Sequence, residues 1–275
     1  MRCSMGFAEP WRGAWTTPSA VALLVPAVSC PSIPAVAAPV EMLRPPRNPA
    51  NRAIVFLGPS LPLAEAQALL AADYRPPLCR GDLDAITEPA VVAVVDGVLD
   101  AEARLRPEEA RCAAKRGIRL YGAASVGALL AVDPSISGSV IGIGRVVQLL
   151  RCGRVRVDDL ALLYAAHDLR PLTIPIVEVL CWLEDARVSG CVPPGDAEAA
   201  RAALRELPLG DRSPSAIVRV LRHHLGPISP AIGDPLRLGV KATDARRLLR
   251  VVGKFLGRIE REAPAGSAKE LGGSS

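Results

Sequence analysis

The sequence predicts an α/β fold in which a doubly wound parallel sheet is followed by a C-terminal helical module. Three observations predict it. Short Val/Ile-rich runs alternate with Ala/Leu/Glu/Arg runs of helical length, an order of β-α-β-α-β-α-β-α that favours parallel strands joined by right-handed crossovers. The strand candidates are continuously apolar rather than alternating, as strands covered on both faces are. Each well-defined run also stops at small or acidic residues: Gly58-Pro59-Ser60, Asp96-Gly97, or Gly122 to Ser125.

The elements follow in order. Ala53 to Leu57 (AIVFL) reads as a buried strand, and Gly58-Pro59-Ser60 as a tight turn. Leu63 to Ala72 reads as an Ala/Leu helix ended by Tyr74-Arg75-Pro76-Pro77. A short strand is expected at Pro77 to Cys79, and a short helix from Gly81-Asp82 through Ile86. Ala90 to Val95 (AVVAVV) is the clearest strand. Glu102 to Arg116 is a charged outer helix with Gly117 as its C-cap. Ile118 to Tyr121 is the next strand, followed by a small-residue turn and a helix over Val126 to Val132, with Ser125 as an N-cap candidate. Strand, tight glycine turn and helix open many doubly wound folds, so the sheet is expected to be Rossmann-like or flavodoxin-like.

Beyond the sheet, Gly142-Ile143-Gly144 reads as a hinge and Arg145 to Leu150 as a helix ended by Gly153. Asp158-Asp159 heads a helix to about His167, with its acidic residues at the favoured end. Leu172 to Val188, Asp196 to Leu207, Ser215 to Leu225 and Asp244 to Glu262 complete the helical set. The expected division is a leader over 1–51, an α/β core over 52–157, a helical module over 158–262 and a disordered tail over 263–275. Residues 20–28 are apolar behind Arg2 and Arg12, a faint secretory pattern, but Pro18, Pro26, Pro31 and Pro34 interrupt it. A disordered leader, or translated sequence upstream of a start at Met42, fits better.

Composition narrows the function. The net charge is +5, but basic residues do not cluster with aromatics, which make up only 3% of the chain. That argues against nucleic acid as a partner, and the broken apolar run argues against a membrane. The seven cysteines include no C-x-x-C spacing, so neither a zinc site nor a disulfide framework is indicated and a reduced cytoplasmic setting is expected. No metal or other cofactor is expected: G-x-G-x-x-G and the P-loop are both absent.

The strand ends carry the candidate site. A carboxylate at the carboxyl end of a parallel strand sits where such sheets bind ligands, which singles out Asp96. Gly58, Pro59, Ser60, Asp82, Gly97, Gly122 and Gly127 are the expected ligand-contacting positions, because small residues admit close backbone approach. Turn geometry and N-capping are the plain alternatives for Gly58, Gly97, Asp82 and Ser125. Ala123-Ala124-Ser125-Val126-Gly127 has the A-x-S-x-G form of a nucleophile elbow, in which Ser125 would attack, His167 would act as base, and Asp158 or Asp159 would orient it.

Taken together, FLGPSLP at Phe56 to Pro62, Gly81-Asp82, Asp96-Gly97, GAASVGAL at Gly122 to Leu129, and Gly142-Ile143-Gly144 with GRVRVDDLALLYA at Gly153 to Ala165 resemble the TfuA-like family in its own order. The resemblance implies a partner of a YcaO-type protein, an enzyme that spends ATP on a backbone amide carbonyl of a peptide or protein and typically yields a thioamide. The TfuA-like protein would recruit that enzyme, activate it or supply sulfur from a sulfur donor. Two departures from the family pattern stand out. Pro107-Glu108-Glu109 replaces a His-Lys-Glu run, and Val126, Leu130 and Asp133 stand where relatives often carry Met, Arg and Glu. These changes remove basic groups from the expected site, which makes a catalytically silent binding module a further alternative beside the serine hydrolase.

Overall fold

Five parallel strands form one sheet in the order β2-β1-β3-β4-β5. They are β1 Ala53–Phe56, β2 Asp73–Arg75, β3 Val91–Val94, β4 Arg119–Gly122 and β5 Val140–Gly142. The structure, a computed structural model, describes residues 53–136, 138–165, 167–228, 233–236 and 239–262. The leader and tail expected from the sequence lie outside these. Every pairing is parallel, with Val55 beside Ala93 and Ala93 beside Tyr121 in register. This order is the flavodoxin-like member of the doubly wound class.

The continuously apolar strands are buried on both sides because helices cover both faces. One face carries Ala53, Val55, Val91, Ala93 and Tyr121 against Ala66 and Leu70 and against Ala245, Leu248, Leu249 and Val252. The first pair belongs to α1 (Leu63–Leu69) and its C-cap, the second set to α9 (Val240–Glu262). The opposite face carries Ile54, Phe56, Val92, Val94 and Leu120 against Leu78, Leu83, Ile86 and α2 (Pro107–Lys115). The period-2 alternation of the pleat sorts odd and even residues into these two cores.

α3 (Val126–Val132) follows β4, and α4 (Arg145–Arg151) follows β5. The single turn α5 (Val157–Leu160) joins them through a core of Ala128, Val146, Val147, Leu150, Leu160, Val177 and Cys181. A further core lies among α6 (Ile176–Val188), α7 (Pro194–Arg205) and α8 (Pro214–Leu225), around Leu180, Leu183, Leu204, Ile217 and Leu221.

Several boundaries differ from expectation for physical reasons. The second strand is Asp73–Arg75 rather than Pro77 to Cys79, because Pro76 and Pro77 lack the N–H a ladder needs. The Tyr74 hydroxyl donates to the carbonyls of Ala66 and Leu70, at 2.7 and 2.8 Å, and so closes α1. Residues 81–86 form turns, not a helix, and α2 begins only at Pro107, which takes the first helical position where a missing N–H costs nothing. Gly142 belongs to an edge strand instead of a hinge. The helix expected to reach His167 stops at Leu160. Arg212 takes the carbonyls of Asp158 and Ala161 and Lys241 takes that of Leu160, so they are not used to continue the helix. An extended arm replaces it, closed by the Tyr164–Pro171 bridge. The last helix, expected within the helical module, lies on the sheet beside α1.

Candidate functional site

Three strand ends meet at the carboxyl edge of the sheet, and Asp96 ties two of them together. Its carboxylate is 3% exposed and accepts from Gly58 N at 2.9 Å, Ser60 N at 3.1 Å and Ser60 Oγ at 2.6 Å. The turn after β1 is thereby folded onto the end of β3. In doubly wound sheets of this order the β1/β3 crevice is the ligand position. Here the crevice is laced by these three bonds, and Leu78 bridges to Gly97 just beyond the end of β1. Asp96 thereby positions the turn, which uses three of the carboxylate's acceptor sites.

The glycines at this edge serve close packing. A Cβ on Gly127 would fall 1.8 Å from the Val94 carbonyl oxygen, and one on Gly122 would fall 2.0 Å from that of Gly127. α3 thus sits on β3 and β4 backbone to backbone, and the room that suggested a ligand is filled by main chain. Gly97 is similarly hemmed by the Leu78 carbonyl and Val126, and Gly58 by Pro77. Pro59 is half-buried within the Asp96-bound turn. Asp82 is elsewhere: its Oδ2 accepts from Cys79 N at 2.7 Å, fastening a local turn of the β2–β3 connection.

Ser125 behaves differently. It is 5% exposed, and its N–H donates to the carbonyls of Ala123 and Val95. Its side chain caps no backbone N–H of α3, contrary to the N-cap expectation. The preceding Ala124 has φ of 65°, the left-handed region that non-glycine residues enter under local constraint. The turn that presents Ser125 is thus held in a costly conformation by the bonds around it.

His167 does not join it. The imidazole is 77% exposed, and its partner is Asp168, with Nε2 3.3 Å from Oδ2. Asp159 is committed to Arg205 and to the Arg156 N–H, so neither element of the expected relay reaches Ser125. The serine-hydrolase triad is not assembled, because the helix meant to carry His167 inward ends at Leu160. Among the described residues no group of three or more His, Cys, Asp or Glu side chains is placed to hold a metal ion.

Sequence reasoning missed three buried polar groups around this edge, all engaging α9. Glu178, on α6, accepts from the N–H groups of Gly239, Val240 and Lys241 at 2.7, 2.8 and 3.1 Å, and so caps α9. Asp244, on α9, accepts from Arg145 N and Val146 N, both at 2.8 Å, and so caps α4. Burial raises its pKa, and those two backbone bonds oppose the rise. Lys241 is 3% exposed. Burial lowers its pKa, opposed by the negative charges of Asp96 and Glu178. One signal was legible: only four of the 33 basic residues are lysine, and this one stands between Val240 and Ala242 in an apolar run. Cys181 is inert, its thiol pushed up to about 12 by burial.

Comparison with known proteins finds a family resemblance that includes part of this edge. No curated protein matches the chain. Residues 96–213 match the model of the family described as TfuA-like protein. The matched span opens at Asp96, takes in the Gly122 to Gly127 turn with Ser125, and runs through the helices that carry Glu178 and Arg205. Among the described residues no helix is long and apolar enough to cross a membrane. By its matched segment and the strand-end turns that segment contains, the chain is similar to the TfuA-like family over residues 96–213.

Proposed function

We propose that this TfuA-type accessory protein works with a YcaO-type enzyme in forming a backbone thioamide on a ribosomally made peptide or protein, in the cytoplasm, by delivering sulfur from a donor or by activating its partner. The observation that carries the reading is the family match over residues 96–213, which contains the Ser125 turn. Two features support it. The sequence has no phosphate-binding glycine fingerprint, so the ATP-dependent step falls to the partner. Ser125 is a buried residue on a constrained turn whose hydroxyl makes no capping bond to α3, which is how a group held for a ligand is presented.

The test is reconstitution. The chain is combined with the YcaO-type protein encoded in the same genome, ATP, sulfide and the candidate peptide, and the peptide's mass is followed for oxygen-to-sulfur exchange. The expected result is co-elution of the two proteins and thioamide formation that needs both. Equal thioamide formation with and without this chain contradicts the reading.

A further inference from the structure

The chain answers almost every need for a positive charge with arginine, yet one of the buried cations among the described residues, the other being Arg212, is a lysine. Lys241 lies in the first turn of α9, buried against the end of α5 and within electrostatic reach of Asp96 at the carboxyl end of β3. An ammonium carries three N–H donors. The bond it makes is to the Leu160 carbonyl at 3.5 Å, far longer than the 2.7–2.9 Å usual for a charged donor. The two carboxylates in electrostatic reach, Asp96 and Glu178, are each occupied by three other donors. Neither bonds to Nζ. A buried charge with donors to spare is costly, and proteins keep one where another acceptor completes the shell.

We propose that Lys241 is a ligand-binding residue of the carboxyl-edge site, its ammonium holding a carbonyl-type oxygen, either a carboxylate or an amide carbonyl, of a bound molecule. The charge around it selects that class. Asp96 and Glu178 disfavour a dianion such as phosphate, whereas one or two oxygens of a carboxylate or amide match the donors left over. Lys241 lies outside the family-matched segment, so the match itself assigns it nothing. The proposal does not depend on the identity of the partner enzyme.

The chain's small number of lysines makes the test direct. Protein labelled with 13C at lysine Cε gives signals for Lys115, Lys241, Lys254 and Lys269, assigned by single Lys→Arg changes and by Lys241→Met. Acetate and N-methylacetamide are titrated separately at constant ionic strength. The expected result is a saturable shift of the Lys241 signal with one or both probes, while the other three stay in place. A shift with acetate alone identifies a carboxylate ligand, and one with the amide alone a peptide carbonyl. A Lys241 signal unmoved by both, or moving only in parallel with the other lysines, overturns the proposal. Because wild-type protein carries the readout, the outcome stands even where Lys241→Met does not fold.

Discussion

At the scale of single residues, Asp96 and Ser125 are neighbours on one edge with opposite structural roles. Replacing Asp96 by Ala leaves Gly58 N, Ser60 N and Ser60 Oγ without their acceptor, at about 1 kcal/mol per donor or more. We expect a loss of roughly 3 kcal/mol in urea denaturation. Ser125→Ala breaks no capping bond to α3, so its stability should stay within about 0.5 kcal/mol of wild type. Gly127→Ala belongs to neither class. Its new methyl would meet the Val94 carbonyl at 1.8 Å, with backbone on both sides, and we expect little or no folded protein in the soluble fraction. The sequence made Asp96, Gly122 and Gly127 visible as special positions, but not their function. A strand-end glycine looks alike whether a ligand or a helix backbone fills the space above it.

At the scale of elements, runs with a clear period were readable and long-range caps were not. The sequence located β1, β3, β4, α3 and α4 to within a few residues, because apolar runs bounded by Gly or Pro settle their own extents. β5 and α5 were misjudged for one shared reason. β5 exists only because β4 is beside it, and α5 ends only because Arg212 and Lys241, distant in sequence, take its carbonyls. The same is true of the acidic caps. Glu178 and Asp244 each sit inside a helix and cap another that is distant in sequence, which no local pattern shows. Glu178→Ala removes the acceptor of three N–H groups at the start of α9 and should cost about 2–3 kcal/mol, with Glu178→Gln between it and wild type in chemical denaturation. A Gln variant as destabilised as the Ala variant would show that the charge, rather than the acceptor oxygen, does the capping.

At the scale of the whole molecule, the fold class and the similarity to the TfuA-like family both followed from the order of motifs. No single motif was decisive, but alternating runs with small residues at successive strand ends left few topologies open. α9 was the part the order could not place. It returns to the sheet at the chain's far end and brings a cation to an edge where Leu130, read against the resemblance, stands at an arginine position. This burial predicts a pH dependence. With Lys241 lowered in the folded state, the unfolded chain binds more protons between that lowered value and the ordinary 10.5, so stability rises with pH across this window. Lys241→Met should lack that rise in denaturation measured from neutral pH upward. At the acidic end, the hydrogen bond from Arg187, reinforced by Arg154, holds Glu184 down at about 2, so its contribution is complete above about 4.5 and fades as pH falls toward 2.

The central claim is that the Ser125 edge of this TfuA-like chain serves thioamide formation by a YcaO-type partner. The most direct measurement is the initial rate of thioamide formation by the partner, ATP, sulfide and peptide, with wild-type chain or with Ser125→Ala of matched stability. We predict at least a tenfold loss of rate with the variant at unchanged melting temperature, on the order of 1.4 kcal/mol or more in the barrier. A rate equal to wild type with folded Ser125→Ala would contradict the account.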